Sequence, residues 1–262
     1  MSEATADSGQ MTLMEHLAEL RMRLVRVALA VMIGIVIMIA LWDPILTFLT
    51  GPYRSLCESH ADGFCGDAYD RASDVVKLTI LSPTEGLSTR FQISFYGGIV
   101  LALPVILWQV WRFVMPALHK HERKYALGFV LSSTILFIAG GFVAYMTLER
   151  ALEFLIAWAG TNVSQEFQVS AYIHLVTFMV AAFGVGFTAP VFLVFLQLIG
   201  LVKWQVLLKG WRYAIVGTVI LAAAITPSGD PWSLAALSVP MLVLYFVAVL
   251  IGWAVQRGRS DE

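Results

Sequence analysis

Charged residues are scarce in this chain. Only 13% of its 262 residues are Asp, Glu, Lys or Arg, whereas 59% are hydrophobic. A soluble domain carries charge at about a quarter of its positions and shows polar stripes on its outer helices. The scarcity therefore excludes a single soluble core and favours an integral membrane protein. The net charge of −1 indicates no strongly charged partner, and we expect no nucleic acid to bind.

Motifs of enzyme chemistry are absent as well. The sequence contains no glycine-rich phosphate loop, no HExxH, no GxSxG and no paired-cysteine metal spacing. We therefore expect a protein that is not an enzyme and that uses no metal and no cofactor. The predicted spans contain no Asp, Glu, Lys or Arg, which a proton or ion pump would normally need. We interpret His174, in the fourth span, as a neutral histidine hydrogen-bonded inside the bundle.

Six uncharged runs are each close to the roughly 20 residues that cross a bilayer as a helix. They cover residues 27–42, 91–111, 125–148, 167–202, 213–229 and 231–256, with the fourth helix expected over about 172–198. The pattern predicts an all-α membrane protein with one six-helix domain over residues 12–256. A disordered segment 1–11 would precede this domain, and a tail 257–262 would follow it. No small-residue cleavage site follows the first run, so we expect it to stay as a span.

Lys and Arg indicate the orientation, because they concentrate in cytoplasmic loops. Twelve of the 17 basic residues lie before the first helix, after the sixth, or in the loops between helices two and three and between four and five. Both termini are therefore expected in the cytoplasm. The loop 43–88 would lie outside and holds both cysteines. In that oxidising compartment Cys57 and Cys65 would form either a small disulfide loop or two free thiols.

Prolines and one short helix predict the shape of the bundle. Pro104, Pro190 and Pro240 each remove a backbone donor inside a span and should kink it, which favours a curved, concave bundle. The fifth helix, from Tyr213 to about Pro227, would rise only about 22 Å. Since the hydrocarbon layer is about 30 Å thick, the bilayer should thin beside this helix or a partner should cover the mismatch.

Three carboxylates stand out on the predicted cytoplasmic face. Residues 12–24 form an amphipathic helix expected to lie along the membrane surface, with Glu15 and Glu19 on its polar side. Glu19 would either form an i,i+4 ion pair with Arg23 or help to receive a cationic ligand. Glu122 has the same two interpretations, in a loop of basic and aromatic residues. Arginine would suit such a pair of carboxylates best, because its planar fork pairs with carboxylate in bidentate fashion.

Several motifs then resemble one family. They are EHLAELRMRL at 15–24, SPTEG at 82–86, LPVILWQVWRF at 103–113, PALHKHER at 116–123, FGVGF at 183–187, Thr226-Pro227 with Asp230, and Val239-Pro240. Together they are similar to the TatC family, the receptor subunit of the twin-arginine protein translocase. The resemblance extends from about residue 12 to 256.

The resemblance implies a receptor and core subunit in a bacterial cytoplasmic membrane. It would bind signal peptides that carry an arginine pair, assemble with single-span TatA- and TatB-type subunits, and export folded proteins with the proton-motive force. The signal-peptide site would comprise Glu19, Phe113 and Glu122, with Arg21 from the same ELR motif. Contacts with the single-span partners would involve Thr188, Thr226, Asp230 and Leu234.

The sequence departs from the family pattern at two places. Thr188 stands where many members carry a glutamate in helix four, so a charged role cannot be carried over to this position. The family's TPPD is TPSGD here, one residue longer, and a frequent glutamine aligns with Leu234. Contacts through helices five and six are therefore expected to differ from those of other members.

Two other functions remain as alternatives. A small-molecule secondary transporter would be expected to show duplicated halves and a polar site at the midplane, and neither is visible in the sequence. A membrane-embedded enzyme would need a nucleophile with its base or a set of metal ligands.

Overall fold

The computed structural model describes residues 13–59, 65, 69–70, 75–76, 78–114, 126–159, 167–226 and 229–260. These residues form helices α1 Leu13–Ala40, α2 Trp42–Ser59, α3 Glu85–Val114, α4 Ala126–Ala159, α5 Val169–Leu198, α6 Trp204–Lys209, α7 Trp211–Ile225 and α8 Pro231–Ser260. Strands β1 Tyr69–Asp70 and β2 Val75–Val76 pair in antiparallel fashion between α2 and α3. The predicted all-α class is confirmed.

Five helices are long and apolar enough to cross a membrane: α1, α3, α4, α5 and α8. Their exposed side chains include large apolar ones, such as Ile33 at 62% and Met146 at 65% exposure. A soluble protein would bury such side chains, whereas lipid solvates them. The sixth predicted span is α7, which has only 15 residues. The prediction of six helices with a short fifth one is therefore confirmed.

The first helix has no break. We expected a separate surface helix over residues 12–24 that turns into the first span, but α1 runs unbroken from Leu13 to Ala40. No proline or glycine lies between Leu13 and Gly34, so nothing interrupts the backbone hydrogen bonds where the polar part meets the apolar part. The amphipathic segment is thus the first part of one helix.

Helix α2 corrects the prediction of a loop over residues 43–88. The helix covers the first part of that range and buries one face, which consists of Leu49, Pro52, Tyr53, Leu56 and Cys57. This spacing of three and four residues is typical of an amphipathic helix, and it was readable in the sequence. Burial raises the pKa of Tyr53 to about 12.

Cys57 and Cys65 form a disulfide with their Cα atoms 5.7 Å apart, so the end of α2 is tied to the chain that follows.

The core lies among α2, α4, α5 and α8. Its buried side chains include Tyr53, Leu56, Leu148, Leu152, Ile173, Phe183 and Leu237. A second, smaller cluster of Trp111, Val130 and Phe195 joins the end of α3 to α4 and α5. Pro104, Pro190 and Pro240 lie inside α3, α5 and α8, as the sequence predicted.

Glycines allow two pairs of helices to approach closely. A Cβ added to Gly34 of α1 would lie 2.6 Å from the carbonyl oxygen of Gly98 in α3. A Cβ added to Gly140 of α4 would lie 2.5 Å from the carbonyl oxygen of Phe183 in α5. Small residues at such contacts are characteristic of membrane helices, which associate mainly by close packing. The contact between α1 and α3 brings the first part of α1 alongside α3, where Arg23 contacts Gln109.

Candidate functional site at the ends of α1 and α3

A groove of about 400 Å³ lies where the first part of α1 meets the last turn of α3. Its lining comprises Ala18, Glu19, Met22, Arg23, Arg26 and Arg112. The helical period explains the set on α1, because residues three, four and seven apart share one face. The groove therefore gathers one carboxylate and three guanidinium groups from two helices.

Arg23 links the two helices in this groove. It is only 8% exposed, its Nη2 forms an ion pair with Oε1 of Glu19, and its Nη1 donates to the carbonyl oxygen of Gln109 at 3.4 Å. The i,i+4 pair that was one interpretation of Glu19 is therefore present. It does not use the whole carboxylate, since Arg23 contacts one oxygen and directs its other terminal nitrogen to α3.

Three polar atoms around Arg23 are buried without a hydrogen-bond partner in the described part of the chain: Glu19 Oε2, Arg23 Nε and Gln109 Oε1. A buried polar atom without a partner costs about 1–3 kcal/mol, and more when it carries charge. Native structures contain few such atoms, and each calls for an explanation such as a bound water, an ion or a ligand. The groove thus has the polar chemistry of a binding site.

The charges of the described groove do not favour the binding of a cation to Glu19 alone. The charge of Glu19 is already balanced by Arg23, and Arg26 and Arg112 add positive charge to the lining. A cationic ligand would need a second carboxylate in reach. Glu122, the predicted second carboxylate, lies outside the described residues.

The other predicted site residues lie near the groove but not in its lining. Phe113 is half-buried in the last turn of α3, directly after Arg112. Arg21 is exposed and lies two positions from Glu19, which turns it about 200° away around α1. The structure therefore brings Glu19 close to Arg23 and Gln109 rather than to Arg21.

Sequence reasoning assigned no role to Gln109, which is 9% exposed. The available signal was its position on α3. It lies eleven residues after Gly98, which is about three helical turns, and so on the side of α3 that faces α1.

Comparison with known proteins identifies the family. The profile of the family described as Sec-independent protein translocase protein (TatC) matches residues 15–240. A Sec-independent protein translocase protein TatC from Xylanimonas cellulosilytica is 34% identical over 254 residues, which cover 97% of this chain and 87% of the relative. The chain belongs to the TatC family. A second TatC protein, from Deinococcus radiodurans, is 32% identical over 96% of this chain and 89% of its own length.

A solved TatC structure has the same fold. The crystal structure of a twin-arginine translocase receptor, TatC, in DDM superposes with a TM-score of 0.71 at 33% identity. The match covers 91% of this chain and 99% of that chain. Its coverage includes nearly all of the solved TatC chain, so the helices found here are those of the family.

Two residues expected to contact TatC partners are buried. Asp230 is 0% exposed, and its Oδ2 accepts a hydrogen bond from the backbone N–H of Ser233 at 2.6 Å. This is the geometry of a helix N-cap, followed by Pro231 at the first helical position of α8. Thr226 is 4% exposed and donates to the carbonyl oxygen of Ala222 at 2.8 Å. Both side chains therefore stabilise the connection between α7 and α8.

The two positions that depart from the TatC pattern are less buried. Thr188 is half-buried, and its hydroxyl donates to the carbonyl oxygen of Val185 at 2.7 Å, within its own helix. Leu234 is half-buried and packs against the main core cluster. These two side chains retain exposed surface that a partner helix could contact.

His174 corrects another expectation. It is exposed rather than hydrogen-bonded inside the bundle, and its ring stacks on Phe178 with the centroids 6.1 Å apart. The reason is its position on α5. The neighbouring residues Ile173 and Val176 face the core, and His174 is turned away from them.

Proposed function

We propose that this chain is the receptor and core subunit of a twin-arginine protein translocase. It would bind signal peptides with an arginine pair at the cytoplasmic face of a bacterial cytoplasmic membrane. It would then nucleate a complex with single-span TatA- and TatB-type subunits that exports folded proteins by the proton-motive force. The observation that carries the proposal is a TatC-family glutamate, Glu19, with one oxygen buried and unpaired in a groove between α1 and α3.

The chemistry of the groove supports an arginine-containing ligand. A guanidinium group is a planar fork of N–H donors that matches the oxygens of carboxylates. Each charge-assisted hydrogen bond would contribute about 1.5–3 kcal/mol. Glu19 Oε2 has no donor among the described residues, so a ligand guanidinium would supply the missing partner.

A second carboxylate is essential to the proposal, because Arg23 already balances the charge of Glu19. We propose that Glu122 supplies it and receives the second arginine of the pair. Phe113, in the last turn of α3, would contact the apolar part of the ligand at the membrane interface. Arg21, on another side of α1, would also contribute to signal-peptide binding.

Photocrosslinking of a twin-arginine signal peptide tests the site. We expect Glu19→Ala, Glu19→Lys, Glu122→Ala and Glu122→Lys each to abolish the crosslink, because each removes one of the two ligand carboxylates. Correct membrane insertion is to be verified for every variant. Glu58→Ala is the matched control, since Glu58 is an exposed glutamate of α2 outside the groove. Unchanged crosslinking in both the Glu19 and the Glu122 variants would remove the proposed site.

The alternative of a small-molecule secondary transporter receives no support from the relatives, which are named as protein translocase proteins. A pull-down separates the two functions. A translocase subunit would retain single-span helical partners and signal-peptide precursors, whereas a transporter would take up substrate as the purified protein alone.

A further inference from the structure

We propose that Gln109 is a specificity-determining residue of the groove. Gln109 Oε1 and Glu19 Oε2 would together accept the two arms of one ligand guanidinium. The inference rests on the proposed function of the groove and adds the residue that distinguishes arginine from lysine.

The position of Gln109 supports this role. Its backbone carbonyl accepts a hydrogen bond from Arg23 Nη1 at 3.4 Å. Its side chain is 9% exposed and lies beside the groove rather than in its lining, on the side of α3 that faces α1. Glu19 contacts the same arginine through Oε1. Gln109 and Glu19 therefore both contact the Arg23 guanidinium.

The two unpaired oxygens are both hydrogen-bond acceptors. Glu19 Oε2 and Gln109 Oε1 are buried, and neither has a donor within the described ranges. Arg23 already spans the other two oxygens of the same residues, Glu19 Oε1 and the Gln109 carbonyl. A second guanidinium, with five N–H donors in a rigid fork, would complete the hydrogen bonds that Arg23 leaves unmade. An anion such as phosphate would satisfy Arg23 Nε but would leave both oxygens without a donor.

A lysine in the ligand would not be equivalent. Its ammonium group is a compact, strongly hydrated point charge that lacks the planar fork. It would pair with Glu19 without holding both acceptors in a fixed geometry. Gln109 would therefore contribute more to the binding of an arginine pair than to that of a lysine pair.

Arg23 is the positioning residue in this arrangement. It lies between α1 and α3 and holds Glu19 by one oxygen only, which keeps Oε2 for the ligand. Because the bond to Gln109 is made by the backbone carbonyl, a change of the Gln109 side chain leaves this link between the helices in place.

The test compares two peptides on the full chain in nanodiscs of phosphatidylethanolamine and phosphatidylglycerol. The peptides are identical signal sequences with either Arg-Arg or Lys-Lys at the pair, and their dissociation constants are measured by fluorescence anisotropy. We expect Gln109→Leu to weaken binding of the Arg-Arg peptide about tenfold and that of the Lys-Lys peptide much less, as for the loss of one charge-assisted hydrogen bond. Gln109→Glu keeps an oxygen acceptor and is expected to retain the preference for Arg-Arg.

Controls separate this inference from the proposed function. Gln92→Leu makes the same chemical change on α3, seventeen positions before Gln109 and beside a different cavity, and should leave both constants unchanged. If Gln109→Leu fails to insert, Gln109→Met replaces it, because Met keeps the length of the side chain without a strong acceptor. An unchanged ratio of the two constants would overturn the role of Gln109. If Glu19→Gln and Glu122→Gln also bound the Arg-Arg peptide as tightly as the unmodified chain, the proposed function itself would fail.

Discussion

At the residue scale, the contacts between α1 and α3 beside the groove centre on the guanidinium of Arg23. Arg23 is almost fully buried. The cost of burying its charge is offset because Glu19 and the Gln109 carbonyl accept hydrogen bonds from its N–H groups. The same contacts leave single oxygens of Glu19 and Gln109 without donors. The buried ion pair therefore leaves acceptors available for a ligand. Arg23 contacts one oxygen of Glu19 and one oxygen of Gln109, and the second oxygen of each residue has no donor among the described residues.

Asp230 shows a carboxylate in a structural role, and this role can be tested. Asp230→Ala removes the N-cap of α8 and is expected to lower the free energy of unfolding by about 0.5–2 kcal/mol. Thermal unfolding in detergent measures the change. Asp230→Asn is the matched control, because its amide oxygen can still accept the Ser233 N–H. Equal melting temperatures for Asp230→Ala and the unmodified chain would contradict a capping role.

At the scale of elements, the contact between α1 and α3 positions the groove. The two helices approach closely where Gly34 meets Gly98, and Arg23 and Gln109 lie toward the ends that form the groove. A wider separation at the glycines would move Glu19 away from Gln109. The packing of these two helices is therefore a requirement for the proposed binding of a guanidinium.

Gly34→Ala tests the contact. The added Cβ would lie 2.6 Å from the Gly98 carbonyl oxygen, so the helices must separate. We expect a loss of about 1–3 kcal/mol in stability, as for overpacked cores, together with weaker signal-peptide crosslinking. Gly128→Ala and Gly217→Ala are the controls, because an added Cβ at either position would have no packing neighbour within 4 Å beyond its own stretch of helix. Full stability and crosslinking in Gly34→Ala would show that the close approach is not needed.

At the scale of the whole molecule, we predict the orientation of the helix bundle in the membrane from the distribution of charge. Five membrane-length helices and the short α7 account for the predicted spans, and an even number places both termini on one side. Lys and Arg concentrate at that side, which is expected to be the cytoplasm. The groove of Glu19 would then open toward the compartment where signal peptides are made.

Cysteine labelling checks this orientation with two matched leucines. Leu81, before α3, is 72% exposed, and Leu201, between α5 and α6, is 73% exposed. We expect a membrane-impermeant maleimide to label Leu81→Cys in intact cells and Leu201→Cys only after the membrane is opened. The native cysteines do not compete, because they are bonded to each other. The reverse labelling pattern would contradict the orientation.

Local patterns in the sequence determined the class, the spans and the family. Long uncharged runs leave few choices in a bilayer, since helices satisfy their backbone hydrogen bonds internally. The motif around Glu19 likewise indicated the proposed site, because the residues of a short motif are adjacent in the sequence and can be recognised without knowledge of the fold. The same reasoning could have predicted helix α2, since Leu49, Tyr53 and Leu56 share a helical face.

The tertiary structure decided what depends on contacts between distant residues. Gln109 lies 86 positions from Arg23 along the chain, and only the packing of α3 on α1 brings its carbonyl to the guanidinium. Sequence could propose the Glu19–Arg23 pair, because both residues lie on one helix, but not that the second oxygen of Glu19 stays buried and unpaired. Burial of an atom depends on every helix around it, whereas a pattern along one helix reports only that helix.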